Sequence, residues 1–147
     1  MRHLDYPPIW TVAFMAVTYL FARFGIEIAT PFFVQLIGCA IILIGLCLMI
    51  LAVYAMWRHR TTVIPHRVPT SIVTDGVYRF TRNPIYLGDV FTLGGVALLC
   101  GSPIGVVLIP VFMIVIERRF IREEENWLRT EFREEFQTWA AHTRRWL

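Results

Sequence analysis

The sequence predicts an all-α polytopic membrane protein, four transmembrane helices followed by a cytoplasmic amphipathic C-terminal helix, in a single membrane domain over 1–147. Of the 147 residues, 56% are hydrophobic and only 17% charged, and mean hydropathy is +0.57. That is too apolar for an ordinary soluble domain. The charges are also unevenly spread. They gather between apolar runs and then dominate the tail, "ERRFIREEENWLRTEFREEFQTWAAHTRRWL". A chain of about one domain's length leaves no room for a separate soluble catalytic unit, so any chemistry has to be built from membrane helices and their flanks.

Each span has its own signal. The first, about 8–24, opens at Pro7 and Pro8, which suit an initial helical turn, and closes near Arg23 and Glu27. The opening "MRHLDYPPIW" lacks a small-residue cleavage site, so this segment is expected to be retained. The second span, about 32–57, carries no charge over a length ample for the roughly 20 residues a bilayer needs. The long connection 58–83 holds Pro65, Pro69 and Asp75-Gly76, all turn signals. The third span, about 84–100, is short and contains Asp89, Gly94 and Gly95. Gly101-Ser102-Pro103 turns the chain into the fourth, about 103–117. Spans three and four therefore read as a helical hairpin whose small residues permit close packing. In the tail, 118–147, Leu128, Phe132 and Phe136 fall at i, i+4 and i+8, one face of an amphipathic helix at the membrane surface.

Arginine sets the expected orientation. All 14 basic side chains are arginine. Arg58, Arg60, Arg67, Arg79 and Arg82 lie in the middle connection, and Arg118, Arg119, Arg122, Arg129, Arg133, Arg144 and Arg145 in the tail. Only Arg23 lies near the other face. The N-terminus, middle loop and tail are thus expected on the cytoplasmic side, in a bacterial inner membrane. A net charge of +3 would ordinarily raise nucleic acid as a partner. Here the arginines flank apolar segments, so no nucleic acid is expected. Cys39, Cys47 and Cys100 sit inside apolar runs, which argues against a disulfide framework. His3, His59, His66 and His142 have no ligand spacing, and no metal is expected. No serine or cysteine nucleophile stands near a histidine in a known arrangement, and no glycine loop resembles a phosphate cradle. Trp127, Trp139 and Trp146 read as interfacial anchors.

Two stretches carry more than topology. In "RFTRNPIYLG", Asn83 suits an N-cap, Pro84 the first helical position, and Arg79 and Arg82 the interface. Tyr78, Tyr86 and Gly88 are left without such an account. Tyr86 and Asp89, three apart, share a helix face, and a carboxylate inside an apolar span points to function. In the tail, Glu123, Glu124 and Glu125 follow Arg118, Arg119 and Arg122. This is ordinarily a solvated face of ion pairs. Yet Glu117, Glu124 and Leu128 align on one face of a regular helix, where carboxylates could accept hydrogen bonds from a ligand at the membrane's edge.

Together, "IVTDGVYRFTRNPIYLG" and the run Glu124, Glu125, Leu128, Phe132, Phe136, Trp139, Arg144, Arg145, Trp146 resemble the paired motifs of the isoprenylcysteine carboxyl methyltransferase and phospholipid methyltransferase superfamily. The resemblance covers about Thr70 to the C-terminus. It implies a membrane methyltransferase using S-adenosylmethionine at the cytoplasmic face. The acceptor would be lipophilic or lipid-modified: a prenylcysteine-like carboxylate, a thiol or a lipid amine. By position it implies that Ile72, Val73, Tyr78, Asn83, Pro84, Ile85, Tyr86, Gly88 and Glu124 line the cofactor pocket. Arg119, Glu124 and Glu125 would be the catalytic candidates, Arg119 orienting the substrate; Glu124, Glu125 and Asp89 are candidates for the base. Asn83 stands where well-studied members carry histidine, and Phe120 where the prenylcysteine enzymes have arginine. Two alternatives stay open: a membrane reductase with a similar helical cradle for a nicotinamide cofactor, and a non-catalytic scaffold.

Overall fold

In a computed structural model, the structure describes residues 6–25, 27–61 and 70–147. His3, Pro65, His66, Arg67 and Pro69, all named above, lie outside the described residues. Among those described, all regular structure is helical: α1 (Pro7–Phe24), α2 (Phe32–Arg58), a 3-10 turn (Gly76–Arg79), α3 (Pro84–Leu99), α4 (Pro103–Ile116), a π-helical segment (Glu117–Ile121), α5 (Arg122–Glu131) and α6 (Arg133–His142). Proline marks the start of each of the first four long helices: Pro7, Pro84 and Pro103 in the first turn, and Pro31 at the N-cap of α2. Its fixed φ is preset for a helix, and its missing N–H is not needed there. Ser102 finishes the start of α4 by accepting from the Gly105 N–H at 3.1 Å.

α3 is the centre of the bundle, with α2 packed on one side and α1 and α4 on the other. The α2–α3 seam is made by glycines seven apart. Gly38 faces Gly95 and Gly45 faces Gly88, in antiparallel register. A Cβ on Gly45 would lie 2.6 Å from the Gly88 carbonyl, and one on Gly95 would lie 2.6 Å from the Gly38 carbonyl. A seven-residue repeat keeps one stripe of each helix on its neighbour, and small residues allow the backbones to touch. The α3–α4 hairpin forms as expected, with Gly105 against Ala97. Gly94 faces Ile109 of α4 as expected, whereas Gly95 serves α2, as does Gly88. Gly95→Ala is expected to cost about 1–3 kcal/mol by overpacking, read as a lowered unfolding midpoint in detergent. An unchanged midpoint would mean the seam is looser than described.

On α2 the small residues point inward and the large apolar ones outward, whereas Leu93, Phe112 and Ile116 fill the interior beside α3 and α4. In α2, Gly38, Gly45, Ala52 and Ala55 are buried, whereas Leu36, Leu43, Ile50 and Trp57 are exposed. Val107 and Ile114 do the same on α4. So much contiguous exposed apolar surface suits hydrocarbon rather than water. Among the described residues, α2 is the one helix long and apolar enough to cross a bilayer by itself.

The tail departs from the single amphipathic helix expected. α4 continues without a break through the π segment into α5. The chain then leaves helical geometry at Phe132 (φ −120°, ψ 46°) and α6 turns back. The bend lets Phe136 and Trp139 pack against Ala52, Ala55, Val73 and Tyr78. A straight helix would carry them away from this core. Trp139 and Trp146 are therefore packing residues rather than surface anchors. Trp139 is buried, and Trp146 lies against the cluster of Tyr86, Val90 and Phe120.

Candidate functional site

Both sequence motifs converge on the start of α3. Tyr86, in its first turn, is buried by Phe120 and Val90 and donates its hydroxyl to Glu124 Oε1 at 2.7 Å, across 38 residues of sequence. Tyr78 reaches the same place from the 3-10 turn. Burial first, and the Glu124 charge second, push its phenol well above the usual tyrosine range, so it stays a neutral hydroxyl. Ile72, Val73 and Ile85 pack around Tyr78, and the Trp139 indole donates to the Tyr78 carbonyl at 2.8 Å. The result is a carboxylate held by the Tyr86 hydroxyl, with Tyr78 near enough to feel its charge.

A second set of polar contacts ties the motifs together. Glu125, 6% exposed, receives two hydrogen bonds from Arg145, Nε to Oε1 at 3.0 Å and Nη2 to Oε2 at 2.7 Å. Arg82 Nη2 adds a third at 3.1 Å. Arg145 Nη1 also holds Glu117 at 2.8 Å. Burial on its own would raise the Glu125 carboxyl. The Arg145 hydrogen bonds and the charges of Arg82 and Arg145 outweigh it and hold the group below the ordinary glutamate value. The Arg145 carbonyl in turn accepts from Thr81 Oγ1 at 3.1 Å and Asn83 Nδ2 at 3.0 Å. Residues 143–146 thus form a strap across the entry of α3.

The π segment explains which glutamate does what. In a regular helix Glu117 aligns with Glu124, seven residues on. One extra residue in the π turn shifts the register, so Glu117 aligns with Glu125 instead and both meet Arg145. Glu124 is left facing Tyr86. Arg122 then reaches Glu117 at 3.1 Å across five residues, the spacing of one π turn.

The expected site residues fall into four groups. Tyr86 and Glu124 meet directly, while Ile72, Val73, Tyr78 and Ile85 belong to the second cluster with Phe136 and Trp139, where Tyr78 still feels the Glu124 charge. Asn83 and Pro84 sit at the helix entry, but Asn83 makes no cap hydrogen bond, because its amide is turned to Arg145 instead. Gly88 lies on the α2 side of α3, where Met49 and the Gly45 carbonyl leave no room for a side chain. Its position therefore answers to helix packing rather than to a cofactor. Arg119 stacks over Trp10 of α1 at 4.9 Å, and the oxygens of Glu125 are taken up by the two arginines. Sequence reasoning missed the clamp: Arg82 read as an anchor and Arg145 as part of a basic end. The one available signal was opposite charge at distant positions, which names no partners. Bordering this site, and sharing Ile72 and Thr143 with it, a cleft of about 820 Å³ opens between the 72–79 segment and α6, lined also by Arg79, Glu134, Glu135 and His142.

The phospholipid methyltransferase family matches residues 33–135. Two curated relatives, both described as probable protein-S-isoprenylcysteine O-methyltransferase, come from Oryza sativa subsp. indica and Oryza sativa subsp. japonica. Each is 30% identical over 119 residues, 78% of this chain. The chain spans only 61% of the length of these relatives. No solved structure matches it.

Proposed function

This chain belongs to the phospholipid methyltransferase family, and from that premise we propose that it is an integral membrane methyltransferase carrying a methyl group from S-adenosylmethionine to a lipophilic acceptor. The observation that carries the reading is the 2.7 Å hydrogen bond from Tyr86 to Glu124, which joins the two motifs in one place.

The residues present fit such a donor. S-adenosylmethionine brings an ammonium and a sulfonium, and a carboxylate beside aromatic faces attracts cations where water is scarce. Glu124, Tyr78 and Tyr86 would hold it, with Ile72 and Val73 alongside. When bound, it supplies an electrophilic methyl group. The chain's own part is to orient and to exclude water. Glu124 is held in place by Tyr86, and the strap at 143–146 covers the entry of α3. Such positioning is worth up to about 7–11 kcal/mol in favourable cases. Glu125 belongs to the support of this site, because both its oxygens are occupied by arginine. Arg119, stacked on Trp10, is assigned to the acceptor side.

In this reading α1 to α4 all span the membrane. The N-terminus, the connection after α2 and the tail share the cytoplasmic face, as the arginine distribution favours. The polar donor then enters from the cytosol and the acceptor from the bilayer. Calorimetry on the full chain in detergent tests the choice of cofactor. Binding of S-adenosylmethionine but not of reduced nicotinamide adenine dinucleotide phosphate is expected. The opposite pattern would make the chain a reductase, and binding of neither would make it a scaffold.

A further inference from the structure

Arg82 reaches three parts of the tail at once. Its Nη2 lies 3.1 Å from Glu125 Oε1 at the start of α5. Its Nη1 donates to the Ala140 carbonyl at 3.3 Å and the Thr143 carbonyl at 3.2 Å, at the end of α6, where the helix dipole favours a cation. Its backbone N–H donates to the Arg144 carbonyl in the strap at 2.9 Å. The Nε is buried without a partner among the described residues. The Nη contacts thus orient the fork and leave one donor unmade, which an anchor in interfacial water need not do.

Arg82 precedes Tyr86 by four residues, and Glu125 follows Glu124 directly. The Arg82–Glu125 and Tyr86–Glu124 contacts are therefore neighbouring ties between the same two elements, the entry of α3 and the start of α5. The two carboxylates branch from Cα atoms about 3.8 Å apart, so a rotation of α5 moves both. The helix does not fix that rotation alone, because the π segment between α4 and α5 departs from the regular period. Contacts with α3 have to fix it.

We propose that Arg82 is a positioning residue for the donor site: by gripping Glu125 it holds α5 at the rotation in which Glu124 meets Tyr86. This rests on the methyltransferase reading above and adds to it a residue that acts through Glu124 without touching the donor. Lysine keeps the charge, but its single ammonium lacks the planar fork that serves a carboxylate and two carbonyls together. Arg145 still holds Glu125 when Arg82 is replaced, so Arg82→Lys is expected to fold.

The test is calorimetry with S-adenosylmethionine on the full chain in detergent. The proteins are wild type, Arg82→Lys, Glu124→Gln and the double substitution, each below its own unfolding midpoint. Arg82→Lys is expected to weaken binding about tenfold. Because it acts through Glu124, it is expected to add no more than about twofold once residue 124 is glutamine. The proposal is overturned if Arg82→Lys lowers the unfolding midpoint and leaves affinity unchanged, since Arg82 would then only hold the fold together. It is equally overturned if the two losses multiply in full, since Arg82 would then act independently of Glu124. A second readout needs no donor. Tyrosine labelled with a heavy carbon isotope at Cζ gives an NMR signal for Tyr86, identified by its loss in Tyr86→Phe, that reports the hydrogen bond to Glu124. Arg82→Lys is expected to move this signal at least halfway to its position in Glu124→Ala, and an unmoved signal overturns the proposal. Failure of the wild type to bind S-adenosylmethionine overturns the methyltransferase reading, while the Tyr86 signal still decides the role of Arg82.

Discussion

Glu124→Gln is expected to raise the dissociation constant for S-adenosylmethionine by about 10- to 100-fold, as loss of a hydrogen bond to a charged group warrants. The substitution is close to isosteric, so what it removes is the charge that would meet the donor's ammonium. The glutamine amide can still accept from the Tyr86 hydroxyl through its oxygen, so the 2.7 Å contact and the packing of α5 on α3 need not be lost. Tyr86→Phe separates the two contributions. It keeps the ring and the charge of Glu124 but removes the 2.7 Å hydrogen bond that orients the carboxylate, and about fivefold weaker binding is expected. Titration calorimetry of the three proteins checks the order. Wild-type affinity in Glu124→Gln would place the donor elsewhere.

The second large effect is on stability. Glu125→Ala leaves Arg82 and Arg145 facing each other without their shared carboxylate. Removing one member of a buried ion pair costs about 3–5 kcal/mol, enough to consume much of a typical folding free energy. The value belongs at the lower end, because the Arg145 side chain is 31% exposed whereas those of Arg82 and Glu125 are 15% and 8% exposed. Acid should act in the same direction. The folded protein holds Glu125 below its ordinary value of 4.5, so the folded state binds its proton less readily than the unfolded one. Its stabilisation is complete above about pH 4.5 and is lost as pH falls through the depressed value. Thermal unfolding in detergent should show the wild-type midpoint dropping below about pH 4.5, with a shallower drop in Glu125→Gln. Equal slopes would remove Glu125 from the clamp.

Much of this was readable from residue order, and the rest was not for identifiable reasons. The apolar segments and their proline starts mark where the four long helices run, because a helix boundary is a local property. The two motifs were recognisable as short strings. Their meeting at Tyr86 and Glu124 had to wait for coordinates, because no local rule pairs residues 38 apart. The π turn was invisible in the same way. A regular period groups Glu117 with Glu124, and a single inserted residue regroups it with Glu125. The break at Phe132 lies in a run of good helix formers, and only the core behind Phe136 and Trp139 requires it. Gly94 and Gly95 were read as a feature of the hairpin with α4 and Gly88 as part of the cofactor motif, yet Gly88 and Gly95 match the spacing of Gly45 and Gly38. That correspondence emerges only when α2 and α3 are laid side by side. The contribution of Trp10 to the surroundings of Arg119 had no sequence signal at all.

The central claim is that the entry of α3 and the acidic start of α5 enclose one donor pocket. An experimental structure of the full chain with S-adenosylhomocysteine, the demethylated product, tests it most directly. The account predicts the amino acid end of the product against Glu124, with Tyr78 and Tyr86 within contact distance and Arg145 still on Glu125. Product bound instead in the open cleft between Arg79 and His142, with the Tyr86–Glu124 contact untouched, would contradict it.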